Sequence, residues 1–166
     1  HYTEWKRMLK DKEIKILDNS ATNDIHAKPC IEAAANGLDV LCEKPLGRTA
    51  DEAATMLEAV KRARVKHMVG FNMRFLPAVK VARDLILQGY IGKIYHYRAE
   101  FLGNWMLDPE KPLSWRSNKT VAGTGVIGDL GSHIIDLGRF LVGEFETVGA
   151  ETRVFIKRRP LPASPH

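Results

Sequence analysis

Short apolar runs alternate with segments of helical spacing through the first part of this chain. Positions 14–17, 38–42 and 67–71 are apolar runs too short for helices, and each reads as a strand. Between the first two, Ile25, Cys30, Ile31 and Ala34 recur at helical spacing, with Asp24 as the expected cap and Asn36-Gly37 as a left-handed terminus. Ala53, Met56, Leu57 and Val60 repeat the pattern behind Thr49-Ala50-Asp51-Glu52, a capping box, and the helix ends in the basic turn Lys61, Arg62, Arg64. A short helix over 3–10, capped by Thr3, leads the series. This alternation predicts parallel βαβ units of an α/β fold, whose ligand crevice lies beyond the carboxyl ends of the strands. The loop Ser20 to Asn23 and the segment Glu43-Lys44-Pro45 both occupy that position.

After Asn72 the pattern changes. A helix is expected over 77–88, closing on Gly89, then a long alternating strand over 93–102. Residues 104–124 hold Trp105, Pro109, Pro112 and Trp115 and read as an extended loop. A helix over 129–141 and a strand over 145–156 follow, with an extended tail at Arg159-Pro160-Leu161-Pro162. The chain therefore divides into a first unit, 1–72, and a second, 73–166.

The 166 residues are 45% hydrophobic, ample for a core, and disorder is excluded as the overall state. No apolar run approaches the roughly 20 residues that span a bilayer. The charged start cannot serve as the apolar core of a signal peptide. A soluble protein of the cytoplasm is the expectation, with no membrane partner. The net charge of +5 is spread along the chain apart from Arg153, Lys157, Arg158 and Arg159, so no nucleic-acid partner is expected. Cys30 and Cys42 fall in a helical pattern and a strand, as buried free thiols would, and no metal site is spaced out in the sequence.

Candidate chemistry gathers at two places. Asp129 and His133 are four apart, so on one helix face the carboxylate can hold one ring nitrogen and leave the other as general base or acid. The plainer alternative is a helix cap beside a satisfied histidine. Lys44, before a proline at a strand end, can aim its ammonium into the crevice and steady alkoxide character; alternatively it pairs at the surface with Glu43. Trp105 and Trp115 offer faces to a sugar ring, and Arg116 and Lys119 offer donors to its hydroxyls, unless these residues fill an inter-domain core instead. His26 opens a helix beside the first crevice loop, where it either helps place a cofactor or is a plain first-turn residue.

Taken in order, Thr22-Asn23-Asp24-Ile25-His26, Glu43-Lys44-Pro45, Gly70-Phe71-Asn72-Met73-Arg74-Phe75, Gly89-Tyr90-Ile91-Gly92 and Gly128-Asp129-Leu130-Gly131-Ser132-His133 resemble the Gfo/Idh/MocA family of NAD(P)-dependent sugar and polyol dehydrogenases. The resemblance implies part of a Rossmann domain, followed by part of an α+β domain with a large, mostly antiparallel open sheet that builds dimers or tetramers. It implies hydride transfer between NAD or NADP and a CH-OH group of a sugar or cyclic polyol. Lys44, Asp129 and His133 would be the catalytic residues, with His133 taking the hydroxyl proton, Asp129 orienting it and Lys44 positioning the oxygen. Ala21, Thr22, Asn23, His26, Glu43, Lys44 and Arg74 would line the cofactor, while Trp105, Trp115 and Arg116 remain the substrate candidates on their own chemistry.

Two departures from the family pattern bear on this. No G-x-G-x-x-G turn, the usual pyrophosphate anchor, stands ahead of the Glu43-Lys44-Pro45 motif, so these residues alone are expected to bind cofactor poorly and to be inactive. The first loop reads Ala21-Thr22-Asn23 where the family usually has Thr-Pro-Asn. The alternatives carried forward are a non-catalytic sensor of cofactor or sugar with the same fold, and an NAD-dependent glycosidase. Loss of Lys44, Asp129 or His133 would have favoured the sensor, and all are retained.

Overall fold

The computed structural model describes residues 1–163; the last three residues of the expected second unit lie outside the described part. Its centre is a three-stranded parallel sheet in the order β1 (Ile16–Asn19), β2 (Asp39–Cys42), β3 (His67–Val69). The register pairs Leu17 with Val40 and Val40 with His67. Parallel neighbours need crossovers, and α2 (Ala27–Ala35) and α3 (Ala50–Ala63) supply them.

Alternation along β1 and β2 turns Leu17, Asn19, Val40 and Cys42 to one face. There they meet Cys30, Ala33 and Ala34 of α2 and Met56, Ala59 and Val60 of α3, with Leu9 and Leu38 closing the ends. The alanines let helix and sheet approach closely, and each larger apolar side chain contributes about 1.5–3 kcal/mol by leaving water. Cys30 and Cys42 are buried free thiols in this core. The neighbouring Cys30 sulfur, followed by burial, pushes the Cys42 thiol far up, so it is an inert packing residue.

Several expectations shift at element ends. The first strand begins at Ile16 rather than Ile14. It runs on to Asn19 because Asn19 is itself buried, its amide donating to the Ile25 and His26 carbonyls at 3.1 and 3.2 Å. Asp24 caps no helix: Asn23–Ile25 forms a 3-10 turn and α2 starts at Ala27. Thr3 likewise caps nothing, and the leading helix α1 is only Trp5–Met8, with Glu4 at its N-cap. The Thr49 hydroxyl does accept from the Glu52 N–H at 3.1 Å. The Glu52 carboxylate, however, reaches past Thr49 to the Arg48 N–H at 2.8 Å.

Beyond a 3-10 turn at Asn72–Phe75, α4 (Pro77–Leu87) ends before Gly89. The expected loop 104–124 contains a 3-10 turn at Trp115–Ser117 and the single-turn helix α5 (Lys119–Ala122). The last helix is divided: a π turn at Ile127–Gly131 leads into α6 (Ser132–Leu141).

The larger correction concerns 93–102 and 145–156. Neither forms a ladder among the described residues, and the sheet there is the small parallel one rather than a large antiparallel one. Alternation gives a segment two faces, but a strand also needs a neighbour to exchange N–H and C=O groups with, and none stands beside these. Instead, Tyr97 lies against α6, its hydroxyl donating to the Ile134 carbonyl at 3.2 Å. The tail is held by Leu113, whose N–H donates to the Pro160 carbonyl at 2.8 Å. Among the described residues no helix is long and apolar enough to cross a membrane.

Candidate active site

The carboxyl ends of β1 and β2 face the turn before α6 across a crevice. At the end of β2, the Glu43 N–H donates to the Asn19 carbonyl at 2.9 Å and the Gly70 N–H to the Cys42 carbonyl at 2.8 Å, so the backbone leading to Lys44 is held from both sides. The Lys44 ammonium then crosses the crevice and donates to the Asp129 backbone carbonyl and to its carboxylate, both at 2.9 Å. The two side chains are only 15% and 19% exposed. The Arg116 Nε lies 3.7 Å from the other Asp129 oxygen. The plain surface pair of Lys44 with Glu43 is therefore not what forms.

Gly128 precedes Asp129 in the π turn. A side chain at that position would begin 2.2 Å from the Thr124 hydroxyl and 3.5 Å from the Pro45 ring. The Thr124 hydroxyl thus fills the place a Cβ would take, while the Pro45 ring is at ordinary contact distance.

His133 is buried in the first turn of α6, packed edge-on against Phe71 and tilted against Phe101 at ring separations of 6.5 and 6.0 Å. Its Nδ1 is sealed in without a hydrogen-bond partner. The expected Asp129–His133 hydrogen bond is absent: Asp129 sits in a π turn rather than the α turn its spacing presupposed, and its carboxylate faces two cations instead. Burial, then the Lys44 charge, hold the imidazole below its usual 6.5, so the ring is a neutral proton acceptor at physiological pH.

A cavity of about 150 Å³ opens between these elements. Of the expected residues it brings together Ala21, Asn23, Glu43, Lys44, Trp115, Arg116 and Asp129, along with Ser20. The others, His133 among them, do not line it. Thr22 donates its hydroxyl to Asp24 at 2.6 Å. His26 is fully buried, its two ring nitrogens 2.9 and 3.1 Å from the Pro45 and Ala21 carbonyls, so it ties the two crevice loops together from behind. The Arg74 guanidinium forks onto the buried carboxylate of Asp136, with Nε at 2.7 Å from Oδ2. Trp105 does not line the cavity; Lys111 donates to its carbonyl at 2.8 Å. Lys119 opens α5.

Sequence reasoning missed Asn19, Arg48 and Asp136. Asp136 had a signal, a carboxylate one turn beyond His133 on the same helix face. Arg48 had a partial one, Glu52 four residues on, but its bond to the Thr120 carbonyl and the partners of Asn19 had none, because loops bring them near only on folding.

Comparison with known proteins places the chain in a family. Residues 1–71 match the oxidoreductase family with an NAD-binding Rossmann fold, and residues 79–163 match the GFO/IDH/MocA C-terminal domain. The chain is 43% identical over 159 residues to levoglucosan dehydrogenase of Pseudarthrobacter phenanthrenivorans, covering 96% of this chain and 41% of the relative. It is 32% identical to glucose-6-phosphate 3-dehydrogenase of Bacillus subtilis, covering 74% of this chain and 35% of that protein. The chain thus spans about two-fifths of these relatives' length or less. Among solved structures, a levoglucosan dehydrogenase in complex with NADH and levoglucosan superposes with a TM-score of 0.95 at 43% identity, covering 99% of this chain and 44% of that one. With both halves matched and the identity extending over nearly its whole length, the chain belongs to the GFO/IDH/MocA oxidoreductase family.

Proposed function

We propose that the protein oxidises a CH-OH group of a sugar, anhydrosugar or cyclic polyol with NAD(P), and that NAD is the cofactor used. The observation that carries this is the Lys44–Asp129 pair at the strand ends, sharing one cavity with Trp115 and Arg116 and flanked by the neutral, buried His133. The catalytic roles belong to Lys44, Asp129 and His133. The division at 72/73, a cytoplasmic setting and an assembly of identical subunits belong to the same reading.

The chain's groups suit a nicotinamide dinucleotide. Ala21, Asn23, Glu43 and Lys44 meet at one cavity beyond the carboxyl ends of parallel strands, where such cofactors lie, and His133, outside the cavity lining, keeps a buried Nδ1 without a partner among the described residues. When bound, NAD(P) supplies a hydride acceptor at its nicotinamide ring. Lys44 has three N–H donors; Asp129 engages it through two acceptor atoms, and the third donor is free for the carbinol oxygen. Asp129 therefore orients Lys44 rather than His133. As the carbinol C–H electrons leave as hydride, His133 takes the hydroxyl proton and Lys44 steadies the developing alkoxide until the C=O bond is complete. Trp115 offers an apolar face to the ring C–H edges, and Arg116 donates to its hydroxyls.

The test is an assay of the protein at its full length with NAD or NADP and a panel of levoglucosan, glucose 6-phosphate, inositol and free aldoses. Stoichiometric appearance of reduced nicotinamide is expected with at least one of them. Binding without oxidation would leave a sensor, and sugar hydrolysis without net reduced cofactor would mean a glycosidase; either rejects the dehydrogenase.

A further inference from the structure

The wall carrying Trp115 and Arg116 is bolted to the first unit by a residue outside the reacting cluster. Arg48 forks onto the Glu52 carboxylate, with Nε at 3.1 Å from Oε1, and this fixes its guanidinium. From there it donates to the Thr120 carbonyl at 2.7 Å, across 72 residues of sequence. Two further contacts seat the same turn. The Asn23 amide donates to the buried Ala122 carbonyl at 2.9 Å. Gly123 adopts φ +82°, and a Cβ there would stand 2.8 Å from the Arg48 carbonyl oxygen and 2.9 Å from its Cα. The α5 turn is thus held at the crevice rim from beneath, four residues after Arg116 in the case of Thr120.

We infer that Arg48 is a positioning residue that latches the α5 turn to the first unit and thereby sets where Trp115 and Arg116 meet the sugar. A single-turn helix has little stability of its own, so its placement depends on such tertiary contacts. The Thr120 carbonyl is an acceptor at the helix end whose donor is supplied by Arg48, and the Asn23 amide adds a second donor to the Ala122 carbonyl, which also accepts from the Thr124 N–H at 3.2 Å. Because Trp115 and Arg116 bind the sugar alike in ground and transition states, loosening them weakens substrate binding and leaves the hydride step in place.

The kinetic part of the test rests on the proposed dehydrogenase reading, so a second readout is independent of activity. In the full-length protein, Arg48→Met should raise the sugar KM by about tenfold while kcat changes less than about twofold and the cofactor KM is unchanged. Arg48→Lys, which can still donate to the Thr120 carbonyl, should recover part of the loss. In the same proteins, trypsin should cut after Arg116 and Lys119 about tenfold faster in Arg48→Met than in wild type, because local opening exposes the turn. Gly123→Ala leaves the Arg48–Glu52 pair intact and should give the same cleavage pattern by wedging the turn away. Unchanged cleavage in both variants overturns the latch, as does an equal loss in kcat and in both KM values. Faster cleavage in a protein with no dehydrogenase activity supports the latch and rejects the dehydrogenase instead.

Discussion

The Lys44 ammonium is 2.9 Å from the Asp129 carboxylate, although 85 residues separate the two in sequence. Both are mostly shielded from water, so the pair fixes the crevice between the sheet and the turn before α6. This is the contact on which the proposed alkoxide stabilisation turns.

Asp129→Asn should lower kcat on the order of a hundredfold, because the lysine loses its orienting carboxylate, and Lys44→Met should lower it by a similar factor. Since the two act as a unit, the double variant should be little worse than either single one. Steady-state kinetics of all three proteins check this, and fully multiplicative losses would contradict it.

His133→Ala should cut turnover by about a hundredfold or more, as loss of a general base does. In the intact ring, burial and then Lys44 hold the pKa below 6.5, while Asp129 pulls it upward. Lys44→Met should therefore raise the His133 pKa and Asp129→Asn should lower it further, opposite shifts that an NMR titration of the ring resolves. The linkage to stability follows the same sign. As pH falls below 6.5 the unfolded chain takes up a proton that native His133 resists, so folding stability falls until the native pKa is passed.

Arg74 answers to Asp136 rather than to the cavity. Asp136 is 4% exposed, and removing its partner leaves a buried, uncompensated carboxylate. Arg74→Met should destabilise the fold by about 2–3 kcal/mol, at the low side of the buried-pair range because the guanidinium is partly exposed. Arg74→Met combined with Asp136→Met should restore most of that. Denaturant melts measure both, and cofactor titration of Arg74→Met should show unchanged affinity. Lost affinity with an undiminished melt would return Arg74 to the cofactor wall.

Local pattern was enough for the βαβ core. Leu17, Val40, Cys42, Met56 and Val60 recur at strand or helix periods, and a period tells which face is buried wherever the partner is whatever packs next in sequence. The motif Glu43-Lys44-Pro45 and the motif ending in His133 offered the candidate reacting residues, through their resemblance to the family's motifs. Neither pattern could tell which groups touch. The spacing of Asp129 and His133 presumed an α turn, and the chain forms a π turn there instead, with the Thr124 hydroxyl where a Cβ at Gly128 would stand.

What the sequence determined by itself is the family, the parallel core and the identity of the candidate catalytic residues, all of which depend on order and periodicity along the chain. The tertiary structure decided the partnerships: Asp129 with Lys44, Arg74 with Asp136, His26 with the Pro45 and Ala21 carbonyls, Arg48 with Thr120. It also left 93–102 and 145–156 without a ladder among the described residues. The reason is the same in each case. Periodicity is a property of neighbours in sequence, whereas a charge or a backbone donor takes whichever partner folding brings within about 3 Å.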